Sequence, residues 1–264
     1  MTWLLRAAAW LLGVKCRPTP LVCREHRTPR PGARPSGPPC GSGDNGAVHW
    51  SLVVPLKPLA LAKSRLAGAG GGAMRPRFAL AFAQDTVAAA LSCPAVRGVA
   101  VVTDDPLAAA ELTVLGARIV PDAPAAGLNA ALAHGADAVR ATCPGAAVAA
   151  LNADLPALRT AELAQVLAAA SQFPRAFLAD SAGIGTTFLS AAPGVELRPA
   201  FGGRSRSRHL RSGAVEIAVE GADSVRRDVD TADDLRDALA LGVGPYTAAR
   251  CASLPLPGGG ADTL

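Results

Sequence analysis

The feature that most constrains the fold is a short apolar run that ends at an isolated carboxylate, Val148-Ala149-Ala150-Leu151-Asn152-Ala153-Asp154-Leu155-Pro156. An uninterrupted apolar run of this length is typical of a strand that is buried on both faces, as in a parallel sheet. Pro156 cannot donate to a strand ladder and favours an extended Leu155, so pairing should end near Asp154. Ligands of open α/β sheets bind beyond the carboxyl ends of the strands. The sequence therefore predicts that Asp154 lies in the functional site.

Apolar strand segments alternate with helical segments from Trp50 onward. The predicted strands are 50–54, 98–102, 117–120, the run from Val148, and 176–179; the predicted helices are 78–91, a short one from Pro106 to before Gly116, 128–140, and one up to Ala170 with Thr160 as its N-cap. This alternation predicts an α/β fold with three layers and a mostly parallel sheet. The segments 187–189 and 215–219 predict a mixed or antiparallel addition. Thr231 and Asp234 have the spacing of a capping box, which predicts a last helix.

The formal net charge of +5 comes from the N-terminal region alone. Residues 1–44 carry seven of the 26 Lys and Arg and two of the 21 Asp and Glu, which leaves 19 of each in residues 45–264. The body of the chain is therefore neutral, and no nucleic-acid partner is predicted for it. Residues 1–47 are rich in Arg and Pro and predict a disordered extension, with a targeting segment as the less favoured alternative. We expect one domain over residues 48–250 and a mobile tail over 251–264.

The chain contains six cysteines, without a C-x-x-C pair or a Cys/His cluster of zinc spacing. A chain of this length with a large apolar core does not need a disulfide framework, so we expect reduced thiols and a cytoplasmic location. The apolar segment 3–12 is too short to span a bilayer, and no membrane partner is predicted.

A basic segment directly follows the first strand. It contains Lys57, Lys63 and Arg65, and these two lysines are the only ones in residues 45–264. In nucleotide-binding α/β domains a polyphosphate lies at this position, where lysine acts as a point charge and arginine can bind two oxygens. A solvated basic loop is the alternative. The segment is neither a Walker A loop nor a dinucleotide-binding glycine motif.

Asp228-Val229-Asp230 is a second candidate, together with Asp154. Alternate side chains of an extended segment share a face, so Asp228 and Asp230 can point the same way. Mg²⁺ prefers carboxylate oxygens together with substrate phosphates. The alternatives are a helix N-cap for Asp230 and a solvated turn for Asp228.

Two glycine-containing segments are further candidates for anion binding. Asp180-Ser181-Ala182-Gly183-Ile184-Gly185-Thr186-Thr187 combines close backbone approach with threonine hydroxyls, and Phe201-Gly202-Gly203-Arg204-Ser205-Arg206-Ser207-Arg208-His209 is rich in arginine. The alternatives are a turn between strands and an exposed loop. His209 is expected to be a surface residue rather than a base.

These segments, in this order, resemble the 2-phospho-L-lactate guanylyltransferase family, including its phosphoenolpyruvate guanylyltransferase members of coenzyme F-420 biosynthesis. The resemblance covers roughly residues 50–250 and implies a Rossmann-like nucleotidyltransferase domain of the glycosyltransferase-A type. The chain departs from the family pattern at Ala153, where the family often has glycine, and at Ile184, where the family has threonine in a Gly-Thr-Gly-Thr loop.

The resemblance also implies roles for individual residues. Mg²⁺ would be held by Asp154, Asp228 and Asp230, and the phosphorylated acid by Thr186, Gly202 and Ser205. The GTP triphosphate would face Lys57, Lys63 and Arg65, with Asn129 near the nucleotide; Asp154, Lys57 and Lys63 would act in catalysis.

The resulting hypothesis is an enzyme that transfers GMP from GTP to phosphoenolpyruvate or 2-phospho-L-lactate and releases pyrophosphate. Its partners would be GTP, a small phosphorylated three-carbon acid and the next enzyme of the pathway, which takes the product; a homodimer is compatible with this hypothesis. Two alternatives stay open: a nucleotidyltransferase with a sugar-phosphate or molybdopterin acceptor, and a nucleotide-binding protein without catalysis.

Overall fold

The computed structural model describes residues 48–62, 74–123 and 125–253. All of these residues belong to one compact unit of the chain. The predicted N-terminal extension, the segment with Lys63 and Arg65, and the predicted tail from residue 254 onward lie outside the described residues.

Within the described ranges, seven strands form one sheet: β1 (Trp50–Pro55), β2 (Val96–Val102), β3 (Arg118–Val120), β4 (Ala147–Leu151), β5 (Arg175–Ala179), β6 (Thr186–Ala191) and β7 (Val215–Glu216). Their spatial order is β3-β2-β1-β4-β6-β5-β7. The strand β6 is antiparallel to both of its neighbours, whereas the other pairs are parallel. The structure thus confirms the predicted α/β fold with a mostly parallel, mixed sheet.

Eight α-helices and a short 3-10 helix (Leu59–Leu61) accompany the sheet in the described part of the chain. The α-helices are α1 (Met74–Leu91), α2 (Pro106–Val114), α3 (Leu128–Thr142), α4 (Thr160–Ala170), α5 (Ser205–Arg211), α6 (Asp223–Arg226), α7 (Ala232–Leu241) and α8 (Pro245–Ala252). Several follow their local sequence signals. Pro106 occupies the first turn of α2, where its missing N–H leaves no bond unmade. The capping box of Thr231 and Asp234 opens α7 as predicted.

The two faces of the sheet bury separate apolar clusters, because alternate side chains of a strand point to opposite sides. Leu52 and Val54 of β1 pack in the cluster that includes residues of α1, α2 and α4. Val53, between them, packs in the cluster that includes residues of α3. Gly135 of α3 has no room for a side chain, since a Cβ there would lie 2.5 Å from Cγ1 of Val53. The helices therefore cover both faces, which gives the predicted three layers.

Two local predictions were wrong. The N-cap of α4 is Arg159, and the Thr160 hydroxyl instead donates to the carbonyl of Ala89 on α1. An exposed loop, the alternative interpretation of segment 201–209, is also wrong, because residues from Ser205 onward form the helix α5. The helix α8 runs to Ala252, and buried Asp85 accepts hydrogen bonds from two of its backbone N–H groups.

Cysteine chemistry only partly follows the expectation. Cys93 and Cys251 are free thiols, as expected, but Cys143 is disulfide-bonded. None of the helices in the described ranges is both long enough and apolar enough to cross a membrane.

Candidate active site

A cavity of about 660 Å³ opens at the sheet edge where β1 and β4 end. Because β6 is antiparallel, it begins at this same edge. The volume lies in the range of small-molecule sites. Predicted site residues from distant parts of the sequence line it together: Lys57, Asp154, Thr186, Gly202, Ser205, Asp228 and Asp230. The structure therefore brings four separate sequence features into one cavity.

Asp154 is held in place by a buried threonine of α1. Thr86 is fully buried, and its hydroxyl lies 2.8 Å from the Phe82 carbonyl and 3.2 Å from the Ala153 carbonyl. The same hydroxyl accepts a hydrogen bond from the Leu155 N–H at 3.0 Å. The residues on both sides of Asp154 are thus anchored to one side chain. Thr86 had no signal in the sequence, because it lies in an alanine-rich helical segment far from the acidic residues.

The Asp228-Val229-Asp230 segment is joined to Asp154 through the backbone. The Val229 N–H donates to the Asp154 carbonyl at 3.0 Å. The Val229 side chain is fully buried in a cluster with Phe78 and Phe82, so the flanking aspartates turn away from that cluster. The N-cap of α7 is Thr231, which removes the alternative role of Asp230 as a cap.

Asp228 shows how strongly negative charge is concentrated here. Burial, followed by the charges of Asp154, Asp230 and Asp180, raises the pKa of Asp228 from 3.8 to about 7. A carboxylate in this environment favours either a proton or a cation. The described ranges contain no group of three His, Cys, Asp or Glu side chains already arranged around a metal position. Carboxylates of this kind suit a hard divalent cation that takes further oxygen ligands from substrate phosphates and water.

The turn before Thr186 is closed by the Asp180 carboxylate. It accepts hydrogen bonds from the N–H groups of Ile184 at 2.9 Å and Gly185 at 2.8 Å. A Cβ on Gly185 would lie 2.3 Å from the Asp180 oxygen, so the close approach requires glycine. The Ile184 side chain is exposed, and its backbone makes the contact. The departure from the family pattern at Ile184 therefore leaves this turn intact, and at Ala153 the group that contacts Thr86 is likewise a backbone carbonyl.

The segment 200–203 is held by side chains from two helices. Asn129 of α3 accepts from the Phe201 N–H at 2.7 Å and donates to the Phe201 carbonyl at 3.2 Å. Arg208 of α5 donates to the carbonyls of Ala200, Phe201 and Gly202. Gly202 adopts a φ of +95°, which favours glycine. The structure thus shows that Asn129 supports this segment, and its predicted place near the nucleotide stays a prediction.

His209 is fully buried, so the prediction of a surface residue was wrong. Its ring lies 3.0 Å from the Thr186 hydroxyl and 3.0 Å from the Ala200 nitrogen. Burial, together with the positive charges of Arg175 and Arg208, lowers the pKa of His209 from 6.5 to about 4. His209 is therefore neutral near pH 7. The sequence around His209 is rich in arginine, so it gave no indication that His209 is buried.

The basic residues are placed only in part. Lys57 lines the cavity and is exposed at its mouth. Lys63 and Arg65 lie outside the described residues. Within the described part of the chain, the cavity therefore has an acidic side, a side built from glycine, threonine and serine, and one cation.

Comparison with known proteins identifies relatives over most of the chain. The family model described as "Guanylyl transferase CofC like" matches residues 50–254. A protein of Streptomyces coelicolor named phosphoenolpyruvate guanylyltransferase is 67% identical over 211 residues, which are 80% of this chain and 100% of that protein. A protein of Streptomyces avermitilis with the same name is 68% identical over 211 residues, which are 80% of this chain and 98% of that protein.

Solved structures support the fold. A nucleotidyl transferase from Methanothermobacter thermautotrophicus aligns with a TM-score of 0.53 at 19% identity, over 73% of this chain and 97% of that one. A protein from Desulfovibrio desulfuricans G20, described as a nucleotide-diphospho-sugar transferase, aligns with a TM-score of 0.50 at 14% identity, over 74% of this chain and 96% of that one. These similarities confirm the predicted Rossmann-like nucleotidyltransferase fold.

Proposed function

The chain belongs to the family of CofC-like guanylyl transferases, and we propose that it transfers GMP from GTP to phosphoenolpyruvate, with release of pyrophosphate, in coenzyme F-420 biosynthesis. The observation that carries this proposal is one cavity whose lining includes the carboxylates of Asp154, Asp228 and Asp230 together with Gly185, Thr186 and Gly202. The names of the Streptomyces relatives favour phosphoenolpyruvate over 2-phospho-L-lactate as the acceptor.

The acidic side of the cavity would hold the metal. We assign Asp154, Asp228 and Asp230 as the Mg²⁺ ligands, because they line one cavity and because Asp228 is destabilised as an anion by its neighbours. Bound Mg²⁺ would neutralise charge on the phosphates and orient them. The protein holds these carboxylates in fixed relative positions, because the Val229 N–H donates to the Asp154 carbonyl and the Thr86 hydroxyl accepts from the Leu155 N–H.

A second region of the cavity would bind the phosphorylated acid. Thr186, Gly202 and Ser205 line it, and Ser205 is almost fully buried at the start of α5. Hydroxyl and backbone N–H groups suit phosphate and carboxylate oxygens. Gly202 lets the backbone approach the acid without a side chain between them.

The nucleotide would lie toward the end of β1, where Lys57 meets the cavity. Lys57, together with Lys63 and Arg65 from the adjoining segment, would neutralise the triphosphate. Asn129 would act on substrate binding through the Phe201 backbone.

The reaction needs no base from the protein, because the phosphate of the acid is already a nucleophile at neutral pH. One of its oxygens would attack the α-phosphorus of GTP, and the bond from that phosphorus to the pyrophosphate oxygen would break. Catalysis then depends on in-line positioning of the two substrates and on neutralising the charge of the leaving group.

We further propose residues 48–250 as the catalytic domain, which agrees with the family match over 50–254. A cytoplasmic location and transfer of the product to the next enzyme of the pathway belong to the same proposal. A homodimer stays a prediction from the resemblance.

Pyrophosphate release tests the proposed function. The full chain is incubated with Mg²⁺, GTP and either phosphoenolpyruvate, 2-phospho-L-lactate or 3-phosphoglycerate, with ATP and CTP as nucleotide controls. We expect release with GTP and phosphoenolpyruvate. Asp154→Ala should nearly abolish it, whereas Asp137→Ala, at an exposed position of α3 outside the cavity, should not. Full turnover by folded Asp154→Ala would refute the metal assignment, and folded wild-type protein that releases nothing would favour a binding protein.

A further inference from the structure

His209 connects the two segments that form the acid side of the cavity. It lies on α5, its ring is fully buried, and it packs against Phe177 and Phe201 with ring centroids 5.6 and 5.1 Å away. One ring nitrogen, Nδ1, lies 3.0 Å from the Oγ1 of Thr186 at the start of β6. The other, Nε2, lies 3.0 Å from the Ala200 nitrogen. These two bonds use both nitrogens of the ring.

The bond to Ala200 fixes the tautomer of the ring. A backbone N–H can only donate, so Nε2 must accept and carries no proton. In a neutral imidazole the proton is then on Nδ1. The ring is kept neutral at pH 7 by its burial and by the positive charges of Arg175 and Arg208, which lower its pKa. Nδ1 therefore donates to the Thr186 hydroxyl.

This donation decides what Thr186 can offer to a ligand. The Thr186 oxygen accepts a hydrogen bond from Nδ1–H of His209, so its own hydroxyl hydrogen points to another acceptor. Thr186 lines the cavity, where the incoming groups are phosphate and carboxylate oxygens. With the opposite tautomer, Thr186 would donate to Nδ1 and present only lone pairs to an anion, which would repel it.

We propose that His209 is a positioning residue that fixes Thr186 as a hydrogen-bond donor to the phosphorylated acid and, through Ala200, couples it to the Gly202 segment. This inference rests on the proposed function, because it takes the ligand beside Thr186 to be the acid. His209 does not touch the substrate. Its effect should therefore fall on acid binding and leave GTP binding unchanged.

Two substitutions separate the two bonds of the ring. In His209→Asn the terminal amide reaches the position of Nδ1, so it can donate to Thr186 but cannot reach Ala200. In His209→Gln the terminal oxygen reaches the position of Nε2, so it can accept from Ala200, but the donor to Thr186 is lost. Both replacements are polar and uncharged, so the pair compares the two bonds without a change in net charge.

Steady-state kinetics with phosphoenolpyruvate and GTP provide the test. We expect His209→Gln to raise the KM for phosphoenolpyruvate about tenfold or more, the effect of losing an oriented bond to a charged group, with the KM for GTP unchanged. His209→Asn, which keeps a donor to Thr186 but loses the bond to Ala200, should raise this KM less than His209→Gln does. In a Thr186→Val background, His209→Gln should add little, because the hydroxyl that it orients is already gone.

The contrary results are equally specific. A phosphoenolpyruvate KM in His209→Gln equal to that of the wild type would overturn the inference, and so would equal rises in the KM for both substrates. Nitrogen NMR of the wild-type imidazole gives a readout that is independent of activity: a protonated Nδ1 supports the inference, and a protonated Nε2 overturns it. A wild-type protein that releases no pyrophosphate would instead refute the proposed function, while the NMR result still decides the tautomer.

Discussion

Replacement of Thr86 by valine tests how the position of Asp154 is fixed. Valine keeps the shape of the threonine side chain but removes the hydroxyl that contacts the Ala153 carbonyl and accepts from the Leu155 N–H. Leu155 is fully buried, so its N–H would lose its partner without access to water. An unsatisfied buried donor costs about 1–3 kcal/mol, and each kcal/mol lowers the melting temperature of a domain this size by about 2–4 °C.

The substitution should also reduce turnover, because the backbone beside Asp154 would move to find another partner. A displacement on the order of 1 Å in a catalytic group can cost about a hundredfold in rate, so we expect a fall in kcat of at least about tenfold. The assay combines thermal unfolding of the metal-free protein with pyrophosphate release under saturating substrates.

Thr113→Val provides the matched control. The Thr113 hydroxyl also bonds the carbonyl four residues earlier in its helix, at 2.7 Å from Ala109, but it is exposed and contacts no other segment in the hydrogen bonds of the described residues. Its loss should change stability by less than about 0.5 kcal/mol and leave turnover unchanged. If Thr86→Val has the same melting temperature and the same kcat as Thr113→Val, Thr86 does not position Asp154.

Three further predictions follow from the acidic side and the acid side of the cavity. Gly185→Ala should lower the unfolding free energy by about 1–3 kcal/mol and raise the KM for the acid, because the added Cβ would displace the Asp180 carboxylate. Gly183→Ala is the control: its φ is +69° but the space around it is open, so it should lower the unfolding free energy by only about 1 kcal/mol. Denaturant unfolding compares the two variants. The pKa of His209 is about 4 in the folded protein, against 6.5 in the unfolded protein. As the pH falls below 6.5, His209 therefore takes up a proton in the unfolded protein before it does so in the folded one. The free energy of unfolding should fall by up to about 3 kcal/mol by pH 4. Unfolding curves of wild type and His209→Gln should differ in this pH dependence, and parallel curves would contradict it. The pKa of Asp228 is raised to about 7 in the folded protein, so its ionisation destabilises the protein as the pH rises from 3.8 to 7. At pH 8, Asp228→Asn should stabilise the metal-free protein by about 1–3 kcal/mol and nearly abolish turnover. A variant that is less stable than the wild type would contradict the charge repulsion.

Features with local sequence signals were predicted well. The apolar runs identified the positions of all seven strands, since a buried strand needs apolar side chains on both faces. The Thr231 capping box is formed by residues three apart, so it could be identified without knowledge of the fold. Asp154 and Asp228 were found because strand ends and extended acidic segments gather at one edge of an α/β sheet.

The missed features depend on contacts between distant segments. The helix α5 has no apolar periodicity, and its residues Arg208 and His209 are satisfied by the backbone of residues 200–202. Thr86 acts on a segment that is 67 residues away. Asn129 contacts Phe201 across 72 residues. Such pairings carry no periodic signal in the sequence, so only the folded chain shows them.

The position of the isotope label in the products tests the central claim most directly. Phosphoenolpyruvate with ¹⁸O in the free oxygens of its phosphate is incubated with the full chain, GTP and Mg²⁺, and the products are analysed by mass spectrometry. If a phosphate oxygen of the acid attacks the α-phosphorus of GTP, the guanosine-diphospho acid carries all of the label and the pyrophosphate carries none. Label in the pyrophosphate, or the absence of a guanosine-diphospho acid with folded protein, would contradict the account.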